Sequence, residues 1–271
     1  MIIHLVDGTY ELFRHFYGLR RFSKTDSQLG AVLGVLRTVV QMLENGATHL
    51  GVATDHVVES FRNDLWAGYK TGEGIEPVLR AQFTPLEQCL EAMGITTWAM
   101  VELEADDALA SAASLAAADP RVEKVSIWTP DKDLAQCVVG DRVVQADRKS
   151  GAIRDEAGVK AKFGVLPRFI PDYLALVGDA ADGFPGIQGY GAKTSAAVIE
   201  RYGAIEDFPP GTLGDNHERA LLFKRLASLK TDAPLFDDVD ELRWRGPTAA
   251  FADVANAIGD PRLVARLDAV L

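Results

Sequence analysis

Nine carboxylates, Asp7, Asp55, Glu104, Asp106, Asp107, Asp131, Asp133, Asp179 and Asp182, stand at the ends of apolar runs in this 271-residue chain. Several follow segments that read as buried strands, and most lack a basic neighbour able to neutralise them as a surface pair. Carboxylates gathered in one place repel one another, and burial raises that cost. Divalent cations are the usual remedy, because hard ions such as Mg²⁺ take oxygen ligands. The chemistry this pattern points to is metal-dependent phosphoryl transfer.

The elements that must position these acids are legible as periodicity. Residues 2–6 (IIHLV), 50–53 (LGVA), 95–100 (ITTWAM) and 125–129 (VSIWT) are short apolar runs, alternating with helical patterns at 29–45, 78–93 and 105–118. Such alternation predicts an α/β fold with a mostly parallel sheet flanked by helices. Ligands of these sheets lie outside the carboxyl ends of the strands. Asp7, Asp55 and Asp131 each follow a strand, so separate strands deliver acids to one edge. In VELEADDALASAASLAAAD, Glu104, Asp106 and Asp107 fall in the first helical turn, where the macrodipole favours anions by ~0.3–1 kcal/mol each. Capping explains one or two of them, but not three acids in four positions with no Lys or Arg between residues 81 and 120. Glu104 and Asp106 therefore read as metal ligands, and Asp107 as a ligand or a partner behind them.

Residues 56–77 lack clean periodicity and carry Arg62, Trp66, Tyr69 and Lys70. Cations beside aromatics suit a nucleic-acid strand, through phosphate contacts and base stacking; an ordinary surface loop with snorkelling cations is the plainer reading. Past residue 160 the alternation stops, and a boundary near KFGVLP (162–167) separates an α/β part, 1–163, from a mainly helical part, 164–271. There, GFPGIQGYGAKTSA (183–196) sets Gly186, Gly189 and Gly191 before a helical run. Glycines let backbone N–H groups approach an oxyanion, and a helix N-terminus adds favourable potential. Lys193 and Thr194 stand where they could complete that grip. Lys193 follows Ala192 and not glycine, so the spacing is not that of a Walker loop; a helix–hairpin–helix over about 172–202, which holds a nucleic-acid backbone without reading sequence, fits better.

Composition narrows the classes. No apolar run approaches the ~20 residues of a membrane span, and MIIHLVDG lacks the basic start and cleavage site of a signal peptide. Cys89 and Cys137, the only cysteines, sit in apolar helix-like runs without metal-ligand spacing, so no disulfide is expected and a reduced, cytoplasmic protein is. The net charge of −11 argues against nucleic acid only superficially, since the nine acids carry most of it and the remainder is nearly balanced.

With LVDG (5–8), SFR (60–62), YK (69–70), EADD (104–107), TPDKD (129–133) and GDAADGFPGIQGYGAKTSA (178–196) in this order, the chain resembles one family from about residue 3 to 230. It is similar to the 5′-nuclease domain of bacterial DNA polymerase I and the stand-alone 5′–3′ exonucleases of the flap endonuclease superfamily. The resemblance implies a PIN-like (resolvase-like) core followed by a helical DNA-binding region. It implies a first metal site at Asp7, Asp55, Glu104 and Asp106. A second is implied at Asp106, Asp131, Asp133, Asp179 and Asp182, with Asp107 close by. It implies two Mg²⁺, replaceable by Mn²⁺, and a monovalent cation such as K⁺ on the hairpin. Arg14, Tyr69, Gly186, Gly189, Gly191, Lys193 and Thr194 would bind DNA. Lys70 would lie at the base of an arch over 56–77 and with Arg62 would position or stabilise the scissile phosphate, while Asp7 would serve catalysis through the metal it holds. Two positions depart from the family pattern. Glu73 stands where relatives carry an arginine three residues after the arch lysine, and Gln188 where a lysine is common in the hairpin.

The expected activity is two-metal hydrolysis of DNA at 5′ ends, flaps or nicks by a monomer, giving a 5′-phosphate and a 3′-hydroxyl. With no polymerase region after residue 271, a stand-alone nuclease or a piece of a longer protein is expected. A haloacid-dehalogenase-type phosphatase would need a second aspartate two residues after its nucleophile, whereas Asp7 is followed by Gly8 and Thr9. An RNA-directed PIN-type nuclease would lack the glycine hairpin. A structure-specific DNA-binding module that has lost catalysis is the non-enzymatic alternative, and Glu73 is the residue that favours it.

Overall fold

The computed structural model describes residues 1–20 and 28–271. Strands β1 (Ile2–Asp7), β2 (His49–Asp55), β3 (Thr96–Met100), β4 (Lys124–Trp128), β5 (Val143–Asp147) and β6 (Ala152–Arg154) form one sheet in the order β3-β2-β1-β4-β5-β6. All neighbours are parallel except the β5–β6 hairpin. The first four strands lie on the four apolar runs read from sequence. In β1, β2 and β4 burial on both faces makes the run continuous where a one-sided strand would alternate, whereas the edge strand β3 buries only Trp98. Val6 and Val52 pack under helices Gly30–Glu44 and Phe83–Ala92, while Ile3, Leu5, Ala53, Val125 and Ile127 pack against helix Ala105–Ala118. Val6 pairs with both Val52 and Trp128, so β1 ends one residue beyond β4, and β2 two residues beyond β1.

The helical pattern at 78–93 is two helices, Pro77–Arg80 and Phe83–Ala92. Pro85 has no N–H to return to the carbonyl of Ala81, and the chain turns at Ala81–Gln82. That break has a use. The buried Gln82 side chain accepts from Ala31 N (3.1 Å) and Val32 N (3.3 Å), satisfying the start of Gly30–Glu44, whose Leu29 cap offers no side-chain acceptor.

A third apolar cluster holds the helical part together, with Phe163, Leu174, Phe184, Ile199 and Phe223 at its centre. Helices Ile170–Val177 and Ala192–Tyr202 flank the glycine-rich segment. The end of the chain corrects the reading of 164–271 as one helical region. Helices Phe251–Ala257 and Arg262–Asp268 pack back on the α/β layer, contributing Phe251, Leu263 and Leu267 to the cluster under Gly30–Glu44. Arg37 of that helix binds the buried Asp260 at 2.5 and 3.0 Å. Leu263→Ala, at a fully buried position, should lower stability by about 2–5 kcal/mol in urea unfolding; a change under ~0.5 kcal/mol would mean the C-terminal helices are not part of this core.

Candidate active site

β1 and β4 are adjacent in space but lie on opposite sides of the reversal in strand order, so the crevice of the sheet opens between their carboxyl ends. Asp7 closes β1; its Oδ1 accepts from Tyr10 N (2.8 Å) and its Oδ2 from Thr129 Oγ1 (3.0 Å), the residue after β4. Asp55 closes β2 and accepts from Ala105 N (2.8 Å), which draws it to the start of helix Ala105–Ala118, beside Glu104 and Asp106. Asp131 and Asp133 follow β4, with Asp133 N donating to Asp131 Oδ1 at 3.0 Å. Asp179 and Asp182 arrive from the loop after helix Ile170–Val177, where Asp179 and Phe184 exchange backbone hydrogen bonds of 2.8 and 3.0 Å. Oxygens of Asp133, Asp179 and Asp182 all lie within 4.8 Å of one another. Asp133 Oδ1 is buried without any hydrogen-bond partner, which is the condition of a carboxylate awaiting a cation.

Electrostatics say the same. Burial, with Asp55 and Asp131 nearby, pushes the Asp7 carboxyl up to about 7 despite its hydrogen bond from Tyr10. Asp106 and Asp133 are driven well above the carboxylate range by burial and then by Asp131. Burial also raises Asp55 and Asp182, although Lys70 opposes it in both. Glu104 alone goes down, because Lys70 and Arg62 outweigh its burial. The residues present fit divalent ions: hard oxygen donors, converging, and uncomfortable when ionised together.

Arg62 takes another part than the one expected of it, and Asp107 takes the second of the two parts open to it, a partner behind the ligands. Arg62 is 1% exposed and uses its whole guanidinium internally: Nε to Leu226 O (2.8 Å), Nη1 to Glu104 (3.2 Å) and Asp107 (2.7 Å), Nη2 to Asp107 (2.8 Å) and Ser228 O (3.1 Å). No substrate phosphate can reach it. Asp107, fully buried, binds Arg62 with both oxygens and also accepts from Glu104 N and Lys230 N, so it is not placed to be a metal ligand. The pair instead locks Glu104 in place. Tyr69 is buried too, its hydroxyl on Glu104 Oε2 (3.2 Å), and Trp66 packs edge-on against Phe223. Tyr69 therefore offers no stacking face, while Trp66 is half-buried.

Lys70 is delivered to the acids by backbone docking. Its N–H donates to Asp182 O (3.0 Å), and Trp66 Nε1 donates to Gly183 O (3.0 Å). Gly183 has φ +80°, and a Cβ there would lie 1.9 Å from Gly68 O. The ammonium bridges Glu104 Oε2 (2.8 Å) and Asp182 Oδ1 (3.0 Å). Segment 56–77 contains a single five-residue helix, Phe61–Leu65, closed by a Ser60/Asn63 capping box, and no helical arch; Glu73 is exposed. Arg14 has its guanidinium on the buried Glu11 (2.5 and 3.1 Å) and is 27% exposed. At the hairpin, Gly186 (φ +72°) touches the backbone of Leu176–Gly178, and Gly189, Gly191, Lys193 and Thr194 are exposed around the start of helix Ala192–Tyr202. Sequence reasoning missed Lys132, whose Nζ pairs with Asp179 at 2.8 Å, and Ser60 and Thr129, which hold Glu104 and Asp7. Lys132 had a signal, a cation between two acids in TPDKD; the two hydroxyls had none.

Comparison with known proteins bears on what this pocket is. Residues 2–164 match the family model described as 5′–3′ exonuclease, N-terminal resolvase-like domain, and residues 165–250 the one described as 5′–3′ exonuclease, C-terminal SAM fold. The chain belongs to the 5′–3′ exonuclease family. It is 32% identical over 208 residues to a 5′–3′ exonuclease of Aquifex aeolicus, covering 76% of this chain and 71% of that one. It is 34% identical over 259 residues to DNA polymerase I of Pseudomonas aeruginosa, covering 88% of this chain but 28% of that protein. In fold it resembles the T5 5′-exonuclease with zinc bound (TM-score 0.65, 17% identity, 100% of this chain and 98% of that one). It also resembles flap endonuclease-1 of Methanococcus jannaschii (TM-score 0.61, 16% identity, 99% and 91%). Membership of the 5′–3′ exonuclease family and the carboxylate cluster together support a metal-dependent nuclease.

Two outcomes test this geometry. Arg62→Ala leaves Glu104 and Asp107 buried without their cation and should cost about 3–5 kcal/mol in denaturant unfolding; a near-neutral change would contradict the locking role. Asp7 holds a proton in the folded, metal-free state up to about pH 7, whereas an unfolded aspartate releases it near ~3.9. Stability from that proton is full below the lower value and lost as pH rises through the upper. EDTA-treated protein should therefore lose thermal stability from about pH 5 to 7.5, and Mg²⁺ should flatten the loss; a midpoint rising over that interval without metal would contradict it.

Proposed function

We propose that this chain hydrolyses DNA phosphodiesters at 5′ ends, flaps or nicks with two divalent ions, Mg²⁺ or Mn²⁺, leaving a 5′-phosphate and a 3′-hydroxyl. The observation that carries this reading is the convergence of eight acids from separate segments on the crevice between β1 and β4. Asp7, Asp55, Glu104 and Asp106 would hold one ion, and Asp106, Asp131, Asp133, Asp179 and Asp182 the other. Bound there, the ions supply the charge that makes a water acidic enough to attack near neutral pH and that offsets charge on the attacking and leaving oxygens. No protein nucleophile is required.

The side chains do the positioning. Thr129 and Tyr10 N hold Asp7; Arg62, through Asp107 and Glu104, fixes the far wall. Lys70 has three ammonium protons and two carboxylate partners, so one donor is left for a non-bridging oxygen of the scissile phosphate. Water's oxygen bonds to phosphorus as the bond to the 3′ oxygen breaks. The exposed glycines, Lys193 and Thr194 would hold the duplex backbone, with a monovalent cation on hairpin carbonyls. A monomer in the cytoplasm, associated with the nucleoid, completes the reading. Binding without cleavage is the second reading, favoured by one observation: an exposed acid, Glu73, three residues after Lys70.

The deciding experiment is a Mg²⁺ titration on a labelled 5′-flap duplex, with cleavage expected; tight binding and no cut would favour the second reading. Asp131→Ala should lower the cleavage rate by on the order of 10³ while leaving DNA affinity within a few-fold, and near-normal turnover would remove Asp131 from the site. If Glu73 repels the strand, Glu73→Arg should raise flap cleavage, more at low salt than at high; equal rates across a salt series would show that the position is neutral.

A further inference from the structure

We propose that the surface carrying Arg154, Lys160, Lys162 and Arg168 is a second contact for the backbone of double-stranded DNA, joining the hairpin to the acid pocket. The inference rests on the nuclease reading above and adds to it a surface outside the hairpin and segment 56–77. Residues 148–168 hold six basic residues and only two acids, Asp155 and Glu156, in a chain of net charge −11. Among the described residues neither acid pairs with a cation. Asp155 caps helix Glu156–Phe163 by accepting from Gly158 N (2.8 Å), and Glu156 accepts from Gly140 N (3.3 Å). Lys160, Lys162 and Arg168 are exposed, and among the described residues none of them forms an ion pair.

The surface is continuous with the proposed machinery at both ends. At one, Gly164 meets Ala196 of helix Ala192–Tyr202 so closely that a Cβ would lie 2.8 Å from the alanine methyl. Lys160, Arg168 and Ile199 line a shared cleft of about 310 Å³ there, with Glu200 its one carboxylate. Lys193 starts the same helix. At the other end, Arg154 Nη1 donates to Gln145, and Gln145 Nε2 donates to the carbonyl of Asp131. Burial and then the nearby Arg154 cation hold the Lys162 ammonium below its ordinary pKa, with Asp131 within electrostatic reach. Cations crowded in this way gain when an anion comes between them. A line of phosphates from Lys193 past Lys160 and Lys162 toward Asp131 supplies anions at regular spacing; a single strand, flexible and threaded elsewhere, does not need the whole line.

The test is the triple variant Lys160→Ala, Lys162→Ala, Arg168→Ala, read by fluorescence anisotropy in EDTA across a salt series. A nicked duplex and a single-stranded oligonucleotide of the same length are compared. On the duplex, the slope of log K against log salt should fall in magnitude by about 0.9 for each phosphate no longer neutralised, roughly two to three units in all. Single-strand binding should change little, and the thermal midpoint should match the wild type because all three side chains are exposed. An unchanged duplex slope, or equal losses on duplex and single strand, would overturn the proposal. Binding is measured without metal, so this result stands apart from whether the wild type cuts: absent Mg²⁺-dependent cleavage overturns the nuclease reading, and the slope decides this surface.

Discussion

Mutual repulsion among buried carboxylates is the constraint that the rest of this molecule answers to. Eight acids face one crevice, and the protein's own cations offset them only in part. Lys70 bridges Glu104 and Asp182, Lys132 takes Asp179, and Arg62 is committed behind Glu104. Among the described residues, Asp7, Asp106 and Asp133 are left with raised proton affinities and no cation paired to them. Such an arrangement is held together from outside, by packing on both faces of the sheet and by backbone donors such as Tyr10 N and Ala105 N. The scaffold stabilises what the pocket alone would drive apart.

That scaffold shows a division of labour between acids that face the crevice and acids that only look as if they do. Asp106 and Asp107 are neighbours in sequence, yet helical geometry turns one toward Asp131 and the other toward Arg62. The Arg62–Asp107 pair is bidentate and fully buried, the geometry in which an ion pair specifies position even where its net contribution to stability is small. It sets the wall against which Glu104 leans, and Ser60, which caps the short helix carrying Arg62, bonds to the same Glu104.

Much of this was legible in the sequence, and for a physical reason. Strands buried on both faces are written as continuous apolar runs, so β1, β2 and β4 stood out and carried their terminal acids with them, while the part-buried edge strand β3 stood out by Trp98 and Met100. β5 and β6 did not: β5 contains Gln145 and ends in Asp147, and β6 has three residues, Ile153 among them exposed. The helix Gly8–Arg20 escaped because its aromatics and charges, TYELFRHFYGLR, blur any single apolar stripe. Within the site, the acids were visible as residue types at strand ends. The misreadings, Arg62 and Tyr69, share one cause: sequence shows that a charge or ring is near the site, but not whether it faces the crevice or the core. Burial of Arg62 depends on carbonyls of Leu226 and Ser228, more than 160 positions away in the chain, and no local pattern encodes that.

The seam between Gly68 and Gly183 has a mechanical meaning. It clamps the stretch bearing Lys70 to the loop bearing Asp182, and from Asp182 only a few residues lead to the glycines before helix Ala192–Tyr202. The part that would grip a duplex and the part that would cut it are thus tied by a short, stiff tether. In a nuclease built this way the point of scission is measured from the grip like a mark on a ruler, and lengthening the chain between Phe184 and Tyr190 would move that mark along the strand.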